Sequence, residues 1–165
     1  MGLVKKNDFS GCTDEECDEL AFERVIRSVS ACEQSTQKMR RKLEQAGYPQ
    51  RSIDRAIEKA VRIGAIDDRR YCECLVRGTL ASGKGLRFVL KEIESLGIDA
   101  YEIDAYCEYL DEEEGAEVDR ALDFLSRHPS RSKDQRGAAY RKLMTKGFPS
   151  DVASTASRLF VENER

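Results

Sequence analysis

Six cysteines, one histidine and one adjacent pair of aspartates are the residues here whose types could support catalysis or metal binding, and their spacing argues against both. Cys12 and Cys17 are separated by four residues and Cys72 and Cys74 by one, Cys32 and Cys107 stand alone, and no Cys-x-x-Cys occurs. The ligand pairs of a structural zinc site are therefore missing. His128 precedes Pro129 in a predicted loop, and no HExxH, GxSxG or GxxxxGK[ST] pattern is present, so the usual acid-base, nucleophilic and phosphate-cradling constellations are absent. Gly83-Lys84-Gly85 is too short for a phosphate-binding loop. Asp67 and Asp68, adjacent on a helix, would point about 100° apart. One of them is expected to cap a helix, where a carboxylate also complements the dipole. The residues predict no catalytic centre, no cofactor and no metal.

Binding chemistry has a better basis. Arg41, Lys91 and Arg141 recur at one position, two residues before the apolar Leu43, Ile93 and Leu143 and hence about 200° around the helix from them. They face away from a core. Lys84, Arg87 and Lys91 share one stripe through spacings of three and four, opposite Leu86, Val89, Leu90, Ile93 and Leu96. Arg40, Lys42, Arg69, Arg70 and Arg77 lie in the same net-positive region. For any one of these cations the simplest reading is solvated helix surface; the column carries more weight.

The elements that position them repeat. Gly47, Gly97 and Gly147 recur at intervals of 50, each preceded four residues earlier by Leu43, Ile93 or Leu143 and followed by Tyr48, Ile98 or Phe148. Ala21, Tyr71 and Ala121 keep the same register, as do Val25, Leu75 and Leu125. Helical spacing of Phe22, Val25, Ile26 and Val29, then of Met39, Leu43 and Ala46, then of Ile53, Ile57, Ala60 and Val61 predicts three helices per unit. Ser35 is placed to cap a helix start and Gly47 to close a helix in the left-handed conformation. Pro49 and Pro149 follow where proline can help start the next helix. Further helices are predicted near 67–81, 85–96, 99–111, 113–128, 132–146 and 149–162. The fold class is all-α: three tandem three-helix repeats in an elongated, curved array, with residues 1–13 frayed and repeats over 14–64, 65–111 and 112–165.

The 165 residues are 40% hydrophobic and 36% charged, enough apolar side chain for a core. No apolar run approaches the roughly 20 residues of a membrane span, and the opening lacks a secretion signal's apolar core. A cytoplasmic location with free thiols is expected. The net charge of −3 conceals separated lobes: −4 over residues 1–37, +8 over 38–91, −12 over 92–119 and +5 over 120–165. Such polarity favours an oriented encounter with a charged partner. For the acidic span the alternatives are a solvated helix and linker, repulsion of DNA, or attraction to a basic protein.

Ile66-Asp67-Asp68-Arg69-Arg70-Tyr71, then Gly83-Lys84-Gly85, then Lys91-Glu92-Ile93-Glu94-Ser95-Leu96-Gly97-Ile98, resemble the central signature of the RecX family, over roughly residues 16–162. Cys32 stands where the family usually has an arginine, and Ala81 and Ser82 where it often has basic residues. The resemblance implies a non-catalytic, cytoplasmic regulator of the RecA recombinase, with a part in recombination, DNA repair and the SOS response. It would lie in the groove of the RecA filament on single-stranded DNA and block extension, ATP hydrolysis and strand exchange. Charge and exposure nominate Arg40, Arg41, Arg69, Arg70, Lys84, Arg87 and Lys91 as the contact surface of a monomer. Two other readings stay open: a helical protein that binds nucleic acid directly, and a helical scaffold for an unrelated partner.

Overall fold

The computed structural model describes residues 9, 11–112, 115–129 and 132–163, and among these every regular element is helical. The elements are α1 (Asp14–Ala31), α2 (Thr36–Ala46), α3 (Gln50–Arg62), α4 (Asp68–Ala81), α5 (Arg87–Ser95), a 3-10 turn (Ala100–Glu102), α6 (Asp104–Leu110), α7 (Ala116–Arg127), α8 (Gln135–Thr145) and α9 (Ser150–Asn163). Most of the N-terminal stretch read as frayed lies outside the described residues, as do Glu113 and Glu114 of the acidic linker and Ser130 of the His128-Pro129 loop.

The chain divides into two compact units, Met1–Tyr71 and Cys72–Arg165, the boundary falling inside α4. In the first, α3 packs on α1 and α2 around Ala21, Val25, Met39, Leu43, Ile53, Ala56 and Ile57. Thr13 opens α1 with a reciprocal box: its hydroxyl accepts from the Glu16 amide at 3.3 Å while its own amide donates to the Glu16 carboxylate at 2.8 Å. Ser35 opens α2 by accepting from the Lys38 amide at 3.2 Å. Ion pairs Arg51–Asp14 and Arg55–Asp18, each 2.5 Å, tie α3 to α1.

In the second unit α9 packs on α7 and α8 around Phe124, Leu125, Leu143, Phe148 and Ala153, while Val76, Leu86, Val89, Ile93 and Ile103 are buried on α4, α5 and the segment leading into α6. Helices α5 and α6 are shorter than their periodicity predicts. Backbone amides explain both. Gly85 and Arg87 donate to Lys146 O (3.2 Å) and Gly147 O (3.0 Å), so α5 starts only at Arg87. Asp99 caps the 3-10 turn by accepting from the Tyr101 amide at 3.0 Å, and Ile103 is extended, so α6 waits until Asp104. There the Glu73 carboxylate accepts from the Asp104 and Ala105 amides, the latter at 3.1 Å.

The period of 50 has a local cause. Gly47, Gly97 and Gly147 all take positive φ, at 88°, 72° and 89°. At each, the glycine amide donates back to Glu44 O, Glu94 O or Met144 O, and the next residue's amide to Leu43 O, Ile93 O or Leu143 O. This is one helix-terminating motif used three times, in which the residue after the glycine is apolar to cover the helix end. Leu43, Ile93 and Leu143 are each fully buried. The repeating columns are therefore stop signals joined to core residues.

Candidate partner-binding surface

In the first unit the Asp67-Asp68-Arg69-Arg70-Tyr71 segment is mostly engaged in contacts within the fold. Asp67 caps its own helix, accepting from the Arg69 and Arg70 amides at 2.9 and 3.1 Å. Asp68 reaches another helix start: its carboxylate accepts from the Thr36 amide at 2.8 Å and the Thr36 hydroxyl at 2.6 Å. Arg70 donates to the Glu33 carboxylate at 2.7 Å and to the Gly64 carbonyl at 3.2 Å, which binds the end of α3 to the α1–α2 loop. Tyr71 is buried, and its hydroxyl accepts from Lys38 Nζ. The segment is a clasp joining the start of α4 to three earlier elements.

The sequence-nominated cations in this unit consequently differ in role. Arg40 is ion-paired with Asp54 of α3, and the guanidinium holds that carboxyl below its usual value. Arg70 belongs to the clasp. Arg41 and Arg69 are exposed.

In the second unit Lys84, Arg87 and Lys91 are all exposed, with Leu86, Val89 and Ile93 buried beneath them. The Gly83-Lys84-Gly85 turn fixes where this stripe begins. Gly83 has φ +68°, and Gly85 lies backbone against backbone on the α8–α9 turn: a Cβ there would sit 2.4 Å from Gly147 O and 2.5 Å from Phe148 N. That approach brings Lys146 to the same groove as Lys84, a cavity of 240 Å³ also lined by Thr79, Phe88, Val89 and Thr145.

Phe88 and Lys146 escaped the sequence reading. Phe88 lies about 100° off the α5 core stripe, and this was the available signal for an exposed aromatic. It is 49% exposed, with the Arg87 guanidinium 5.4 Å from its ring centroid. Nothing near Lys146 in the sequence points to Lys84.

The acidic span is partly spent on internal pairing. Glu108 takes both terminal nitrogens of Arg77, at 2.7 and 3.0 Å, which holds its carboxyl below the usual range. Glu112 pairs with Arg120 at 2.5 Å. Burial, followed by Glu117, pushes the Tyr109 hydroxyl well above its ordinary value. Tyr106 is half-buried between Tyr101 and Tyr109, at centroid distances of 5.8 and 6.0 Å.

Among the described residues no cluster of three or more His, Cys, Asp and Glu side chains could hold a metal ion, and no helix is long and apolar enough to cross a membrane. His128 is engaged locally, stacked on Phe124 with its Nδ1 2.9 Å from Phe124 O. Lys84, Arg87, Lys91 and Lys146 have no carboxylate partner among the described residues. The arrangement is suited to binding an acidic surface.

Comparison with known proteins agrees with this architecture. Residues 21–59, from within α1 to within α3, match the family described as RecX, first three-helix domain. Regulatory protein RecX of Mycobacterium sp. (strain JLS) is 31% identical over 105 residues, 63% of this chain and 56% of the relative, so the match spans about half of that protein. The protein of the same name from Stenotrophomonas maltophilia (strain R551-3) is 28% identical over 145 residues, 86% of this chain and 87% of its own length. The crystal structure of RecX from Lactobacillus salivarius shares the fold at a TM-score of 0.60 and 20% identity, covering 90% of this chain and 99% of that one. The chain therefore resembles RecX proteins in its first three-helix domain, in sequence over as many as 145 residues, and in its helical fold.

Proposed function

We propose that the protein is a non-catalytic regulator of the RecA recombinase that lies in the groove of the RecA filament on single-stranded DNA and inhibits its extension, ATP hydrolysis and strand exchange. The observation that supports this most is the exposed set Lys84, Arg87 and Lys91, without a carboxylate partner among the described residues: Lys84 stands in the turn before α5, not on the helix as its spacing predicts, and Arg87 and Lys91 lie on α5, where Val89 and Ile93 are core. Cations grouped on one exposed face steer and orient an acidic surface. A bound protein changes a filament's behaviour by as much as it favours one filament state over another, and it also occludes the groove that a second DNA strand must enter. Acting as a cytoplasmic monomer built of repeats over 14–64, 65–111 and 112–165, the protein needs no chemistry of its own. In this reading Arg41 and Arg69 extend the contact surface, while Arg40 and Arg70 act through the fold.

The test is RecA on single-stranded DNA, followed by ATP hydrolysis and filament length as the protein is added. Falling hydrolysis and shorter filaments at amounts comparable to RecA are expected. Unchanged hydrolysis and length at a large excess would refute the reading. Direct nucleic-acid binding is distinguished by salt, because phosphate contacts without RecA weaken steeply as counterions are released.

A further inference from the structure

We infer that Phe88 is the apolar anchor of the partner contact, seated in a ring of cations that receives an acidic protein segment rather than a nucleic acid. A singly exposed apolar side chain is ordinary, but the surroundings of this one are not. The Arg87 guanidinium lies 5.4 Å from the ring centroid, Lys84 and Lys146 flank the same 240 Å³ groove, and Lys91 follows three residues later on α5. These four cations have no carboxylate partner among the described residues, whereas Arg77, Arg120 and Arg127 in the same unit are paired with Glu108, Glu112 and Asp123. Where the fold uses arginine for its own stability it supplies the acid; around Phe88 it does not.

The ring is also held in place before any partner arrives. Its edge packs against the Gly147 turn, where a Cβ would lie 3.2 Å from Phe88 Cδ2, and the Arg87 amide donates to Gly147 O at 3.0 Å. An aromatic side chain already ordered loses little entropy on binding. A central aromatic surrounded by polar groups that exclude water is the common anatomy of a binding hot spot. The choice of protein over nucleic acid follows from shape. Arg87 packs on the ring and the Gly147 turn holds its edge, which leaves a poor platform for base stacking. The groove offers Val89, two threonine hydroxyls and two lysines, and these suit an apolar side chain flanked by carboxylates.

This inference rests on the RecA reading and is tested with filaments on single-stranded DNA. Parent protein, Phe88→Ala, Phe88→Leu and Lys146→Ala are compared for filament affinity across a salt series, with melting curves as a folding control. Phe88→Ala should bind at least tenfold more weakly, dissociate faster and keep the parent's salt slope. Phe88→Leu should recover much of the loss, and Lys146→Ala should flatten the slope. Parent protein that fails to bind filaments overturns the RecA reading and this inference with it. Parent protein that binds, with a folded Phe88→Ala variant binding equally well, overturns the inference alone. An equal loss of affinity for naked single-stranded DNA assigns the ring to nucleic acid and overturns it as well.

Discussion

Replacing Gly85 by alanine should destabilise the second unit far more than one methyl group ordinarily does. The added Cβ would lie 2.4 Å from Gly147 O, 2.5 Å from Phe148 N and 2.6 Å from Gly147 C, all backbone atoms. Ordinary contact begins near 3.4 Å, so the two backbones must part by about 1 Å. Such a displacement breaks or weakens the bonds from the Gly85 and Arg87 amides to Lys146 O and Gly147 O, and disturbs the fully buried Phe148. Two hydrogen bonds at about 1 kcal/mol each, with about 1 to 3 kcal/mol of overpacking, give about 3 to 5 kcal/mol. Gly83→Ala is the control, since its φ of +68° costs about 1 kcal/mol and a Cβ added there meets only the Arg127 side chain, at 3.6 Å. Urea unfolding monitored by circular dichroism reads both. If Gly85→Ala unfolds at the parent's midpoint, or if Gly83→Ala is the more damaging of the two, the backbone contact does not hold the turns together.

Other expectations follow from the same contacts. Leu43→Ala, Ile93→Ala and Leu143→Ala should each cost about 2 to 5 kcal/mol by lost burial and a residual cavity, and melting curves unchanged in all three would show that the repeat register is wrong. Asp68→Ala should cost about 1 to 3 kcal/mol because it strips the Thr36 amide and hydroxyl of their acceptor, whereas Asp68→Asn should recover part; equal stability of all three proteins in urea would contradict the clasp. Ser52 and Arg55 hold Asp18 below 3.8, Arg40 does the same for Asp54, and Arg77 holds Glu108 below 4.5. Depressed carboxyls stabilise the fold above their unfolded values and lose that contribution as pH falls through the folded ones. Stability should therefore be level down to about pH 5 and drop below about pH 4, and less steeply when all three are changed to amides.

What the sequence discloses here is what neighbouring residues decide. The Leu43-Gly47-Tyr48 motif closes through bonds spanning five residues, so its recurrence at Ile93-Gly97-Ile98 and Leu143-Gly147-Phe148 is visible without a structure. Ser35 as a helix start is equally local. Asp68 is different, because its acceptor role is completed by Thr36, 32 residues away, and spacing alone could only offer it as an alternative cap to Asp67. The demand for glycine at position 85 is set by Gly147, and the shortening of α5 by Lys146 O and Gly147 O, none of which periodicity can see. The same distance hid Lys146 from the candidate site. Arg40 and Arg70 look like their neighbours by charge and spacing; only the folded positions of Asp54 and Glu33 separate them from Arg41 and Lys84.

The central claim is tested most directly by charge reversal of the exposed cations in and just before α5, with Lys84, Arg87 and Lys91 all changed to Glu and compared with the parent in RecA ATP hydrolysis on single-stranded DNA. All three side chains are exposed, so each change should alter stability by about 0.5 kcal/mol or less, and the variant should melt close to the parent. Six units of added negative charge should nevertheless abolish steering toward an acidic groove, and inhibition with it. The account predicts a folded variant that leaves hydrolysis running at the rate of RecA alone. A folded variant that suppresses hydrolysis at the same concentration as the parent would contradict it.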